Sequence, residues 1–236
     1  EVVINTTTNG DGDDTINITS AANAHANTDL TINTGTGTDV VNVNGAVTLP
    51  SGGDLNIDSV TINLPNGTSD VTVSGAGEVA LTAQNVSLSS GSSITSATGD
   101  VDLVAAEDIN VAGTITSGGG DVTLHADSNN NGSGEIFVDA NVTSGGGAIT
   151  IGGGTDPATD EAQKITVNSG TVSSGAGNIS IRGRDSSAGA DVLRIESGAV
   201  VQSANGNIDL FAVSGDDAVI VVGTVESTGL GTITLD

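Results

Sequence analysis

The chain reads TSGGGDVTLHA at residues 116–126 and TSGGGAITIGG at 143–153. No other feature constrains its fold as strongly. A phrase that returns at a period of roughly 20–50 residues is written by structural units that stack, each burying the face its neighbour exposes. Aligned on that phrase, INVAGTITSGGGDVTLHA (109–126), IFVDANVTSGGGAITIGG (136–153) and ITVNSGTVSSGAGNISIRG (165–183) are one unit. LRIESGAVVQSANGNIDLFA (193–212), VIVVGTVESTGLGTITLD (219–236), VSLSSGSSITSATGDVDLVA (86–105) and VNVNGAVTLPSGGDLNID (41–58) follow the same pattern. Residues 60–82 and 16–33 follow it more loosely.

Each unit predicts three short strands. The first carries an I-x-V pair such as Ile109 and Val111. The second centres on one apolar residue, such as Ile115, Val142, Val172 or Val225. After a Ser/Gly-rich corner, the third carries another alternating pair: Val122 and Leu124, Ile149 and Ile151, Ile179 and Ile181, Ile233 and Leu235. Alternation at period two puts these residues on one face and their Thr, Ser, Asn and Asp neighbours on the other. Third strands are expected to start at 30, 55, 79, 101, 122, 149, 179, 208 and 233, which gives about nine coils. At about 4.8 Å per coil, such a rod is on the order of 40 Å long. The core ladders expected are Ile109/Ile136/Ile165, Val111/Val138/Val167 and Leu124/Ile151/Ile181.

The expected fold is therefore all-β: a parallel β-helix, or β-solenoid, with three strands per coil. It spans residues 1–236 as one domain, less regular over 1–40 and regular over 41–236. A 3.6-residue apolar stripe is missing, and Gly interrupts every helical window. An antiparallel sandwich is the rival, but the near-constant three-strand phrase favours coils in register. Composition agrees. Phe137 and Phe211 are the only aromatic residues and Cys is absent. The core must then be a thin layer of Val, Ile, Leu and Ala, without disulfides.

The phrases GTITSGGGDVTL (113–124) and AEDINVAGTI (106–115) resemble the repeats of filamentous-haemagglutinin-type adhesins and of large bacterial β-strand-repeat exoproteins. That resemblance implies a right-handed parallel β-helix. It also implies an extracellular or cell-surface segment of a bacterial protein, structural or adhesive, whose partner is a host or matrix glycan or protein. The net charge of −25 disfavours nucleic acid and anionic membrane, which bind through Lys and Arg. No apolar run approaches the roughly 18 residues of a membrane span.

Calcium is the cofactor the sequence suggests. In DSNNNGSGE (127–135), Asp127, Asn129 and Asn131 alternate before Gly132, and Glu135 follows. Alternate oxygen ligands before a glycine turn suit a hard cation; a polar Asn/Gly turn is the competing reading. NGDGDDTIN (9–17) and TGTGTDVVN (34–42) resemble the calcium-binding nonapeptides of RTX proteins. That resemblance assigns Gly10, Gly12 and Asp14, then Gly35, Gly37 and Asp39. RTX motifs recur every nine residues, whereas these stand 25 apart, which reads as two half-sites or as plain Gly-rich corners.

Other motifs carry less chemistry. Arg182, Arg184 and Arg194 interleave with Asp185, Asp191 and Glu196, as in a polysaccharide-cleaving β-helix enzyme or in local charge pairing. His25 and His125 stand apart from any nucleophile, and the sequons at Asn66 and Asn141 are of the kind an Asn/Ser/Thr-rich chain produces by chance. An ice-binding threonine array is expected on neither the third-strand nor the first-strand outward row. The third-strand row runs Thr31, Asn56, Ala80, Asp102, Thr123, Thr150, Ser180, Asp209, Thr234. The first-strand row runs Asn17, Asn42, Thr61, Ser87, Asn110, Phe137, Thr166, Arg194.

The function expected is non-enzymatic: a stalk, fibre or adhesin body. Its competitors are a polysaccharide-active enzyme on the same scaffold and a calcium-dependent surface-layer or RTX-like module. EVVIN at the start and GTITLD at the end are strand-like, and the chain has no Met. Uncapped strands are thus expected at both ends, facing flanking repeats of a longer chain or further copies stacked end to end.

Overall fold

The computed structural model describes residues 2–6, 12–22, 27–184, 192–213 and 219–236. Every regular element among them is a β-strand, and every strand pairing is parallel. Three walls result, of nine, nine and ten strands, and successive strands of the chain visit them in turn. The first wall includes Ile109–Val111, Glu135–Val138 and Lys164–Val167. The second includes Ser93–Ser96, Thr114–Ser117 and Val142–Thr143. The third includes Val101–Ala105, Val122–His125 and Ile149–Gly152. The chain is a parallel β-solenoid with three strands per coil.

All nine third strands begin where the repeat placed them, from Leu30 to Ile233. The tenth strand of that wall is Val2–Asn5, paired with Leu30–Asn33. The three expected ladders are in register: Ile109 on Ile136 on Ile165, Val111 on Val138 on Val167, and Leu124 on Ile151 on Ile181. These side chains are almost wholly buried. Each removes apolar surface from water worth about 1.5–3 kcal/mol, and each rests on a like side chain in the next coil. One expected row is corrected. The outward residue of the first wall between Asn42 and Ser87 is Asn63, because Thr61 pairs with Val40 and Asn85 in the neighbouring row.

The corner between second and third strands explains the repeated TSGGG. The serine turns inward and its hydroxyl satisfies a glycine carbonyl, that of its own corner for Ser144 (Gly147 O) and Ser174 (Gly177 O), and that of the coil below in three others. Ser96 donates to Gly77 O, Ser117 to Gly99 O and Ser203 to Gly177 O, each at 2.9 Å. At the last glycine of the phrase two coils approach closely. A Cβ at Gly120, Gly147, Gly177 or Gly206 would overlap the carbonyl oxygen of the glycine below. Only glycine allows that approach.

Acidic and amide side chains stitch the entry to the third wall. Asp29 Oδ1 accepts from the backbone N–H of Asp54 at 3.1 Å, and Asp54 Oδ1 from that of Glu78 at 2.9 Å. Higher up, Asp100 accepts from Asp121 and Asp121 from Ala148, both at 2.7 Å. Asn178 and Asn207 continue the series. Each bond meets a donor that the sheet leaves over where the chain turns into the strand.

Long connections gather at one corner, from third strand to next first strand. His125 to Glu135 and Gly152 to Lys164 are examples. From Val40 onward the corners flanking the second wall stay short. The outermost strands, Val2–Asn5 and Ile233–Leu235, are both exposed, with Val2 at 48% and Leu235 at 57%.

Candidate functional site

The two Gly-rich corners near the start of the chain are brought together. The separation of 25 residues is one coil: Thr15 pairs with Val40 and Asn17 with Asn42. Asp39 is fully buried. Its Oδ1 accepts from the N–H of Asp14 at 2.8 Å, while Asp13 Oδ1 accepts from the N–H of Thr38 at 3.0 Å. Gly37, at φ +142°, faces the carbonyl of Gly12; a Cβ there would lie 2.9 Å from that oxygen and 3.2 Å from Asp39 Oδ1. Asp39 Oδ2 is buried without a hydrogen-bond partner, the only carboxylate oxygen so placed among the described residues. An unpaired buried carboxylate oxygen is costly, and a cation is one thing that relieves it. Gly35 lies on the same turn, whereas Gly10 falls outside the described residues. No cluster of three or more His, Cys, Asp or Glu side chains fit for a metal occurs among the described residues. A cation at this corner would therefore draw on backbone carbonyls as well as Asp39.

The 127–135 loop is arranged differently. Asp127 is fully buried at φ +50°. Its Oδ1 accepts from the N–H groups of Asn131 (2.9 Å) and Gly132 (3.1 Å), and its Oδ2 meets Arg184 Nη2 at 2.8 Å. A guanidinium already stands beside the carboxylate that was expected to face calcium. Asn129 Oδ1 accepts from the N–H of Asn131 at 3.1 Å, so these three residues converge as turn-formers. Glu135 does not join them. It opens a first-wall strand opposite Lys164, and its N–H is bonded to Asp108 Oδ1 at 2.9 Å. The acid that reaches the loop is Glu107, bonded to Ser133 Oγ at 2.8 Å and Asn131 Nδ2 at 3.3 Å. Sequence reasoning missed it because Glu107 comes from the coil below; counting back one coil from Ser133 finds it.

The arginines all meet acids. Arg182 lies 3.6 Å from Glu161, Arg184 is held by Asp127, and Arg194 Nε donates to Glu196 at 2.8 Å. Asp185 and Asp191 lie outside the described residues, as does His25. The Arg182 guanidinium also stacks 4.1 Å over the Phe211 ring. An open groove of about 390 Å³ runs beside this pair, lined by Ala158, Ser180, Asp209 and Thr234. His125 Nε2 is 2.7 Å from the carbonyl oxygen of Gly154, which ties the 153–163 connection to the third wall.

The second wall holds a further outward row. Its outward positions Thr48, Thr72, Thr95, Thr116 and Thr143 are register partners in five successive coils, followed by Ser173. Beside them run Asp70, Ser93 and Thr114. The sequence signal was present: the second strand centres on a single apolar residue, so its two flanking residues both face outward. Comparison with known proteins finds no matching family model, no matching curated protein and no matching solved structure.

Proposed function

We propose that this chain is a non-enzymatic structural segment of a secreted or cell-surface bacterial protein, serving as a stalk, filament or adhesin body. The observation that carries this reading is the continuity of inter-coil bonding. Sheet pairing runs unbroken through the third wall from Val2–Asn5 to Ile233–Leu235, and serine, aspartate and asparagine side chains add a bond at successive corners. A rod built this way resists extension because many parallel bonds share the load. The resemblance of GTITSGGGDVTL to adhesin repeats supports the surface location. Further coils, from flanking repeats or from another copy, would extend the same three sheets.

Calcium belongs to this reading at the Asp14/Asp39 corner. Asp39 Oδ2, Asp13 and the Gly12 carbonyl are the oxygens available there, and the orphaned Oδ2 favours this corner over the Asp127 loop, where Arg184 supplies the positive charge. The surface assignment is tested with antibodies raised against the folded chain. They should label intact cells of the source organism. Labelling only after permeabilisation would overturn it.

A further inference from the structure

The chain is strongly acidic, yet one of its walls is almost free of charge. The second-wall strands carry charge at Asp70 and Glu226 alone; Asp70 shares a strand with Thr72 and accepts from Ser93 Oγ at 2.6 Å, so the uncharged strands run from Ser93–Ser96 to Val200–Ser203. Above Asp70 the outward face carries Ser93 and Thr95, Thr114 and Thr116, and Thr143, with Thr72 continuing the threonine column beside the aspartate. Coils repeat at ~4.8 Å and outward residues along a parallel strand at ~6.6 Å. Among the described residues, none of the five column threonines donates its hydroxyl to another protein group, so those hydroxyls are free to bond water. The long connections from His125 to Glu135 and from Gly152 to Lys164 lie at the corner between the third and first walls, away from this face.

We propose that the second wall binds ice, its ligand being the ordered water of a crystal face. The two repeats of the net are close to the oxygen repeats on the prism face of hexagonal ice. Each threonine presents a methyl group, around which water orders, beside a hydroxyl that anchors that water. A repeating solid is the partner that a rigid repeating surface fits. The other occupants of a flat wall are less suited. A second copy would bring a further charge of −25 against the first, and a sugar polymer would find no aromatic platform, since neither Phe137 nor Phe211 lies on this wall.

The experiment grows polycrystalline ice slowly from a dilute solution of the chain and measures protein in the ice against protein in the liquid, with thermal hysteresis recorded in parallel. Thr116→Tyr raises a bulky ring from the middle of the column, while Thr123→Tyr places the same ring on the outward face of the third wall. Circular dichroism and melting confirm that all three proteins are folded; a milder Thr116→Val serves if the tyrosine variant is not. The parent and Thr123→Tyr should be enriched in the ice several-fold, and Thr116→Tyr should lose most of that enrichment and at least half of the hysteresis. Exclusion of the parent from ice, or equal retention of parent and Thr116→Tyr, overturns the proposal. So does a concentration-dependent dimer that Thr116→Tyr abolishes in the absence of any ice retention, which would assign the wall to a second copy.

Discussion

The Cα of Gly147 rests against the carbonyl oxygen of Gly120, one coil below, and no Cβ fits between them. Gly146, its neighbour in the same phrase, has nothing within 4 Å of where a Cβ would stand. Identical residues side by side therefore have opposite tolerances. Gly147→Ala should destabilise by about 1–3 kcal/mol, because the coils must part to admit the methyl group. Gly146→Ala should be neutral or stabilise by up to about 1 kcal/mol, through the lower entropy of the unfolded chain. Urea unfolding of the two variants checks the pair, and equal stabilities would contradict the stacking at this corner.

Ile149 is fully buried between Val122 and Ile179. Ile149→Asp places a carboxylate in an aliphatic ladder with no partner in reach. The expected loss exceeds about 4 kcal/mol, among the largest that one substitution produces. A variant that melts with the parent would mean that the third strand faces the other way.

The Asp121 carboxylate staples the N–H of Ala148. Because the site is open to water, Asp121→Ala should cost only about 1 kcal/mol, while Asp121→Asn keeps an acceptor and most of the stability. If both variants lost equally, charge rather than hydrogen bonding would be the contribution.

These relationships differ in how far the sequence discloses them. Ile149 could be placed from alternation alone, since a period of two fixes the face and the repeated phrase fixes the coil. Gly147 could be recognised as special only as one of a run of glycines, because which of them touches the coil below depends on the path of the turn. The Asp14/Asp39 corner shows in the sequence as two fragments 25 residues apart, a spacing that fails against a nine-residue period but equals the length of one coil. The partners of Asp127 were hidden for the same reason: Arg184 is 57 residues away in sequence and two coils away in space. The threonine column is harder to read, because a second strand built around a single apolar residue shows no alternation of its own to mark its outward face.

Calcium at the Asp39 corner should raise the melting temperature, since a ligand that binds only the folded state stabilises it by mass action. Asp39→Asn should abolish that response, and Asp127→Asn should leave it intact. Scanning calorimetry with millimolar calcium and with chelator makes the comparison. A parent that melts alike in both has no calcium site of useful affinity at either place.

Asp102 provides the test by pH. It stands on the outward face of the third wall between Ala80 and Thr123. Partial burial, followed by the charges of Asp100 and Asp121, holds its carboxyl above the ordinary carboxylate value, although a hydrogen bond with Thr123 works the other way. Glu78 is raised similarly, by burial first and then by Asp100 and Asp54. A carboxyl that protonates more readily folded than unfolded makes the folded state bind more protons between the ordinary value and the raised one. Stability from these two groups therefore increases as pH falls through that window, and their destabilising effect is fully present above it. Asp160 has the opposite sign, because N–H groups of Asp156 and Thr155 bond its carboxylate and lower its value, so its contribution is lost on deeper acidification. Asp102→Asn should accordingly be more stable than the parent at neutral pH, with the difference shrinking as the solution is brought down through the carboxylate range. Unfolding curves for both proteins at neutral and at mildly acid pH read this directly. A difference that grows on acidification would show that Asp102 is held in its charged form by a partner, and would reverse the sign assigned to the acidic third wall.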